Sequence, residues 1–236
     1  MKFLAVIPAR SGSKRICRKN VKDFFGKPIM LYSIEAALES KLFDEVMVST
    51  DDEEIAQIAR RSGAKLPFMR SEEASTDYAG LTDVCIEVVN CYEDLGMSFD
   101  VVCCLLPTAP LMSTKIIINA KKMLESGKYS CVFPVTEYGY PIQRSLKIDD
   151  SFVKMNCPDN FHKRSQDFEK TYHDAGQFYF IKTKTLLTEK RMFTEKSGVI
   201  VINNLEVQDI DTEIDWKLAE IKYKIMIQEG GHDEEV

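Results

Sequence analysis

Short apolar runs alternate along this chain with patterns of helical period, and that rhythm constrains the fold more than any other feature. Residues 3–7 are apolar without a break, as in a strand buried on both faces. Met30, Ile34, Ala37 and Leu38 then recur at helical spacing behind Pro28. Residues 46–49 read as a second strand. Residues 51–61 read as a helix with acids in its first turn, where the helix dipole favours negative charge. A short strand is predicted at 66–69, and a helix on Leu81, Val84, Val88 and Cys91. A buried strand spans 100–106, ended by Pro107 and Pro110. Ser113 caps a helix carrying Ile117, Ala120 and Leu124, and strands return at 131–135, 177–181 and 199–202. The last helix carries Ile214, Leu218, Ile221 and Ile225, with Thr212 as N-cap and Asp215 three residues on. The tail 229–236 is acidic and expected to fray. This alternation predicts an α/β fold: a doubly wound, mostly parallel sheet with helices on both faces.

At 236 residues the chain is expected to form a single domain, 1–236. Over 138–172 the rhythm breaks, and Pro141, Pro158 and many polar residues predict an inserted arm. The seven cysteines form no C-x-x-C pair, and most lie in apolar runs, so they read as reduced thiols of a cytoplasmic protein. No run reaches the ~18–20 apolar residues of a membrane span, and Arg10 comes too early for a signal peptide. The formal charge of −6 argues against broad electrostatic binding of nucleic acid. Its distribution is more telling. Residues 1–22 hold seven Lys or Arg and no acid, which leaves 24 basic against 37 acidic side chains in the remainder. A basic segment on an acidic body implies a local anion site.

Four groups of residues carry candidate chemistry. The first is Ala9-Arg10-Ser11-Gly12-Ser13-Lys14, directly after the first strand. Small residues there let backbone N–H groups approach a phosphate, and Arg10, Lys14 and Lys19 add charge. One such pair at ~4 Å gains about 4 kcal/mol at an effective dielectric near 20, before desolvation. Neither the Walker A nor the dinucleotide fingerprint is present. The second is Asp209-Ile210-Asp211-Thr212: two carboxylates that would share one face of a strand, suited to one Mg²⁺ beside phosphates. A cap for the last helix explains Asp211 or Thr212 about equally well. The third is the Leu106–Pro110 turn, where Thr108 can donate a hydrogen bond. The fourth joins Arg164-Ser165-Gln166-Asp167 to the segment 172–177, dense in groups suited to a carboxylate-bearing ligand. Arg70, after the predicted strand at 66–69, is a candidate phosphate or base contact, with a plain surface charge as the alternative. His173 beside Asp174 makes no triad on adjacency alone, and Trp216 reads as packing.

Together, residues 7–20, 44–51, 105–110, 164–179 and 209–213 resemble the sialic-acid-type cytidylyltransferases, which activate nine-carbon acidic sugars with CTP. The resemblance covers nearly the whole chain. It implies the nucleotide-diphospho-sugar transferase version of a doubly wound sheet, with 138–172 as a dimerisation arm that completes a neighbour's sugar pocket. It implies CTP on Ala9, Arg10, Ser11, Gly12, Ser13, Lys14, Asn20 and Arg70, and Mg²⁺ on Asp209 and Asp211. Arg10, Lys19 and Asp211 would be catalytic, and Gln143, Arg164, Gln166 and Tyr179 would face the sugar. Two positions depart from the family pattern. Cys17 stands where proline is common. Leu106 and Ala109 replace the glutamine and serine around the Pro-Thr-Ser-Pro turn of sialic acid synthetases. Leucine cannot make that glutamine's polar sugar contact, which argues against N-acetylneuraminate. The segments 140–144 and 172–179 look most like the members of the family that take pseudaminic acid.

The expected reaction is attack of the sugar's anomeric hydroxyl on the α-phosphorus of CTP, with release of pyrophosphate. Positioning and electrostatics suffice for it, so no cysteine nucleophile is needed. Legionaminic, N-acetylneuraminic and ketodeoxyoctonic acids are the alternative substrates. A catalytically inactive nucleotide-binding regulator is the alternative of another class, and RNA binding is disfavoured by the acidic remainder.

Overall fold

A computed structural model describes residues 1–230 of the protein; residues 231–236, most of the acidic tail, lie outside the described part. In chain order the first half contains β1 (Phe3–Pro8), β2 (Asp23–Phe24), β3 (Lys27–Pro28), α1 (Met30–Ser40), β4 (Glu45–Ser49), α2 (Glu53–Arg61), α3 (Glu72–Ser75), α4 (Leu81–Asp94) and β5 (Val101–Leu105). The second half contains α5 (Thr114–Glu125), β6 (Cys131–Glu137), β7 (Leu146–Asp149), β8 (Phe152–Met155), β9 (Tyr172–Asp174), β10 (Phe178–Lys182), α6 (Thr183–Glu189), β11 (Ser197–Val201) and α7 (Glu213–Gly230).

The main sheet runs β11-β6-β10-β5-β1-β4, with β9 also paired to β6. β1 lies parallel to both β4 and β5, and β11 parallel to β6. β10 is antiparallel to β5 and β6, and β9 antiparallel to β6. Strand alternation sorts the core into two layers. Phe3, Ala5 and Ile7 of β1 pack with Met30, Ile34 and Ala37 of α1 and Ile117 and Ala120 of α5. Leu4 and Val6 face the other way, onto Cys85, Val88 and Tyr92 of α4. Every residue of β1 and β5 is buried, as their unbroken apolar runs require.

Local signals set the helix ends. Asp52 caps α2 by accepting from the N–H groups of Glu54 and Ile55 at 2.8 and 3.0 Å. Ser113 caps α5 through the Ile116 N–H. Thr212 and Asp215 bond reciprocally ahead of α7, Thr212 N–H to Asp215 Oδ2 at 2.7 Å and Asp215 N–H to Thr212 Oγ1 at 3.3 Å.

Three expectations are corrected. Residues 66–69 form no strand: Lys65 makes a single bridge to Met47, and Pro67 lacks the N–H a ladder needs. The expected buried stripe of α7 is outside, with Ile214 71%, Leu218 43% and Ile221 54% exposed. Trp216, Ala219 and Tyr223 point inward instead, onto Ile16, Phe24, Ile29 and Ile210. In that cluster Phe24 meets Tyr32, Trp216 and Tyr223 edge to face, with ring centroids 5.4–5.5 Å apart. Leu38, counted with the inner face of α1, is exposed.

Within 138–172, β7 and β8 pair only with each other, as an antiparallel hairpin. No residue of this stretch is buried. Among the described residues, no helix is long and apolar enough to cross a membrane.

Candidate active site

The topology selects the site. The chain leaves β1 toward β4 on one side, while β5 lies on the other, so a crevice opens beyond the C-terminal ends of β1 and β5. Open α/β sheets bind ligands at such a switch point. Here a cleft of about 400 Å³ is lined by Pro8, Arg10 and residues 12–16, by Lys19 and Asn20, by Leu81, by Leu106–Thr108 and by Asp211. Three of the sequence-predicted groups therefore meet in one place, although Arg15 and Asp211 are 196 residues apart.

Each wall has an anchor. The Ala9 N–H bonds the Ser49 carbonyl of β4 at 2.9 Å. The Ser11 N–H and hydroxyl donate to Asp51 at 2.9 and 3.0 Å. Buried Asn20 donates its amide to the Arg10 carbonyl at 2.8 Å, which curls the loop back on itself. Arg18, at φ 51°, takes the left-handed turn. Ile16 is inserted into the apolar cluster beneath α7, so the cations around it point outward. The opposite wall is held by the Leu106 N–H bonded to Gln177 O at 2.8 Å and by the Ser33 hydroxyl donating to Leu106 O at 2.6 Å.

Asp211 faces the basic loop. Arg15 bonds its Oδ1 at 2.8 Å, and Lys19 Nζ lies 3.7 Å from the same oxygen while donating to the Ile210 carbonyl. Residues 208–211 are not a strand, so the shared face expected for Asp209 and Asp211 does not arise from strand alternation. The two carboxylates still feel each other. Burial pushes the Asp209 carboxyl up from its usual range, and the Asp211 charge adds to the shift. Asp211 also lines a second cavity, of about 530 Å³, together with Asp209, His173, Asp174, Asp215 and Lys222. It thus forms a wall between the two spaces. Among the described residues, no three acidic, His or Cys side chains form a closed metal cage. Asp209 and Asp211 could supply the one or two carboxylates that Mg²⁺ takes, its other positions going to phosphate and water, with Arg15 and Lys19 giving up the Asp211 oxygen they now share.

The remaining predicted residues lie outside the cleft. Arg70 is not a surface charge: it is 7% exposed, and it donates to Ser49 Oγ at 2.9 Å and to the Ser49 carbonyl. Burial lowers its affinity for the proton. It does not line the cleft, but it shares the Ser49 carbonyl with the Ala9 N–H. Tyr179 on β10 donates to Asp174 Oδ2 at 2.5 Å, and burial raises its phenol. Gln143 donates to the Glu169 carbonyl at 3.0 Å, leaving its buried Oε1 without a partner. Gln166 lines a small hollow of the arm, and Arg164 grips Asp167 through two bonds of 3.0 and 3.1 Å. One chain assembles the phosphate side and the carboxylate pair, but it does not bring Gln143, Arg164 and Gln166 to the cleft.

Sequence reasoning missed Asp51 and Asp77 as partners of the loop. Asp51 had a signal, an acid just past the end of a strand adjacent to β1. Asp77, which holds Arg10 and Lys14 from 67 and 63 residues away, had none. All seven cysteines are free. Cys85, Cys103, Cys104 and Cys131 are buried, Cys17 and Cys157 exposed, and none lines the cleft. Burial pushes the Cys131 thiol up to about 12, the opposite of an activated nucleophile.

A family model described as cytidylyltransferase matches residues 4–200. A pseudaminic acid cytidylyltransferase of Campylobacter jejuni is 45% identical over 226 residues, covering 95% of this chain and 97% of that protein. A CMP-N,N'-diacetyllegionaminic acid synthase of Legionella pneumophila is 33% identical, covering 93% and 95% of the two chains. Among solved structures, a CMP:2-keto-3-deoxy-manno-octonic acid synthetase complexed with CTP superposes with a TM-score of 0.68. That match has 18% identity and covers 97% of this chain and all of the other.

Proposed function

Because the chain belongs to the cytidylyltransferase family, we propose that it joins CMP from CTP to pseudaminic acid, releasing pyrophosphate. The reading of the reaction rests on one observation: the cations of the 9–20 loop and the Asp211 carboxylate line one cleft at the switch point of the sheet. The reading of the sugar rests on the 45% identity, over nearly the full length of both chains, to an enzyme named for pseudaminic acid. Leu106 in the cleft wall argues against N-acetylneuraminate, because leucine cannot make the polar sugar contact of the glutamine it replaces.

The triphosphate lies on residues 9–14. Backbone N–H groups there, with Arg10, Lys14 and Lys19, hold its oxygens and stabilise the charge that moves to the leaving group. Asp209 and Asp211 hold Mg²⁺, which when bound neutralises phosphate charge. The anomeric hydroxyl loses its proton to solvent as its oxygen forms a bond to the α-phosphorus, and the bond from that phosphorus to the bridging oxygen of pyrophosphate breaks. Arg10 and Lys19 keep the leaving group oriented away from the sugar. The sugar acid meets the second cavity, beside Tyr179 and Asp174. Gln143, Arg164 and Gln166 reach a sugar site when the arm of one copy lies against another. The arm's exposed apolar side chains support such a homodimer: Ile148 is 80% and Phe152 73% exposed. Free cysteines fit a cytoplasmic setting.

The test is pyrophosphate release from CTP and Mg²⁺ with a panel of pseudaminic, legionaminic, N-acetylneuraminic and ketodeoxyoctonic acids. Release is expected first and fastest with pseudaminic acid. Release only with another sugar would overturn the substrate, and no release with any would favour a non-catalytic nucleotide binder.

A further inference from the structure

Asp77 belongs to a short turn between α3 and α4 that ends at Leu81, on the rim of the cleft. Its carboxylate has two partners among the described residues, and both belong to the phosphate loop. Oδ1 accepts from Arg10 Nη1 at 3.0 Å, and Oδ2 pairs with Lys14 Nζ. The neighbouring Thr76 carbonyl takes a second bond from Arg10 at 3.1 Å. The turn itself is lightly anchored. Tyr78 beside Asp77 is 97% exposed, and Gly80 is tied only to the first turn of α4, through Asp83 and the Val84 N–H.

A carboxylate is the protein group most like a phosphate oxygen in charge and in the donors it attracts. Arg10 and Lys14 cannot hold a triphosphate closely while keeping Asp77 at the same nitrogens, because the like charges repel. We propose that Asp77 is an internal competitor for the phosphate subsite, holding Arg10 and Lys14 when no nucleotide is bound and returning to them as pyrophosphate leaves. This rests on the phosphate reading of the cleft given above. The two cations hold the Asp77 carboxyl below its usual range, the Lys14 hydrogen bond contributing most, so the competitor is charged at neutral pH. A binding-competent state that is populated only when the clasp opens lowers the apparent affinity for phosphate by that fraction. The consequence is faster exchange of pyrophosphate at the expense of CTP affinity.

The experiment is calorimetric titration of the full-length protein with pyrophosphate, and separately with CTP, for the unmodified chain, D77N and D77E. An exposed pair of contacts of this kind predicts that D77N binds pyrophosphate about three- to tenfold tighter. The KM for CTP falls in D77N while kcat does not rise, and D77E, which keeps the charge, stays near the unmodified protein. Equal or weaker binding by D77N overturns the proposal, because it makes Asp77 a support for Arg10 and Lys14 rather than their competitor. D77S is a second uncharged variant should D77N fail to fold. If the unmodified chain binds neither ligand, the phosphate reading of the cleft itself is overturned, and that result needs no variant to read.

Discussion

Residues 8–22 and residues 138–172 are both polar and largely irregular, yet the rest of the molecule treats them in opposite ways. The first is pinned at its start by Ser49 and Asp51, in the middle by Ile16 in the aromatic cluster, and at its end by the Ile29 N–H on the Lys22 carbonyl and by Glu213 on the Lys22 ammonium. Its cations are therefore aimed rather than free. The second has a hairpin whose Leu146, Ile148, Phe152 and Val153 face water. The difference shows which half of a two-substrate site a single chain finishes by itself. The part proposed to grip phosphate is built on the sheet within one chain. The part suited to the sugar is left on a projecting element with its apolar face uncovered, and exposed patches of that kind mark interaction surfaces.

Four substitutions break or sharpen this contrast. The largest effect is expected at the finished half. Asp211→Ala removes the carboxylate that joins the two cavities, and turnover measured by pyrophosphate release should fall by about a hundredfold or more, with the melting curve retained. An unchanged rate would remove Asp211 from the reaction. Next, Phe24→Ala empties the centre of the cluster that seats Ile16 and Ile210, and should cost about 3–5 kcal/mol in denaturant unfolding. A loss below 1 kcal/mol would mean that the loop is not held from below. The smallest effect on the fold is expected in the arm. Ile148→Ser and Phe152→Ser each change the stability of a single chain by only about ±0.5 kcal/mol, as surface sites do. Light scattering should nevertheless report half the mass of the unmodified assembly. An unchanged mass in the double variant would detach the arm from any dimer.

The same contrast explains what could be read before folding. Strands buried on both faces announce themselves, and β1, β4, β5 and β6 lie where unbroken apolar runs placed them. The basic loop that lines the cleft was legible because small and basic residues coincide directly after β1. Strand direction was not: the apolar run of β10 requires burial but is equally compatible with either orientation, and it lies antiparallel between β5 and β6. The inward face of α7 was misread because a regular Ile/Leu stripe competes with Trp216 and Tyr223. The aromatic pair has the larger surface to bury and finds Phe24. Asp77 could not be found, because a single exposed acid acquires meaning only when the chain brings Arg10 and Lys14 to it. Gln143 was placed by resemblance alone and Arg164 and Gln166 by a polar cluster suited to a carboxylate ligand, and no local pattern says where a projecting arm will dock.

The bond between Arg15 and Asp211 spans 196 residues, and Lys22 pairs with Glu213 over 191. On the ribosome, the loop is made 196 residues before its counterpart. At ~5–20 residues per second that interval lasts about 10–40 s. During it the sheet can grow around β1 while the cations stand without the acid that completes their cleft. Until α7 and the segment before it are made, the chain carries a basic tongue whose cleft lacks one wall.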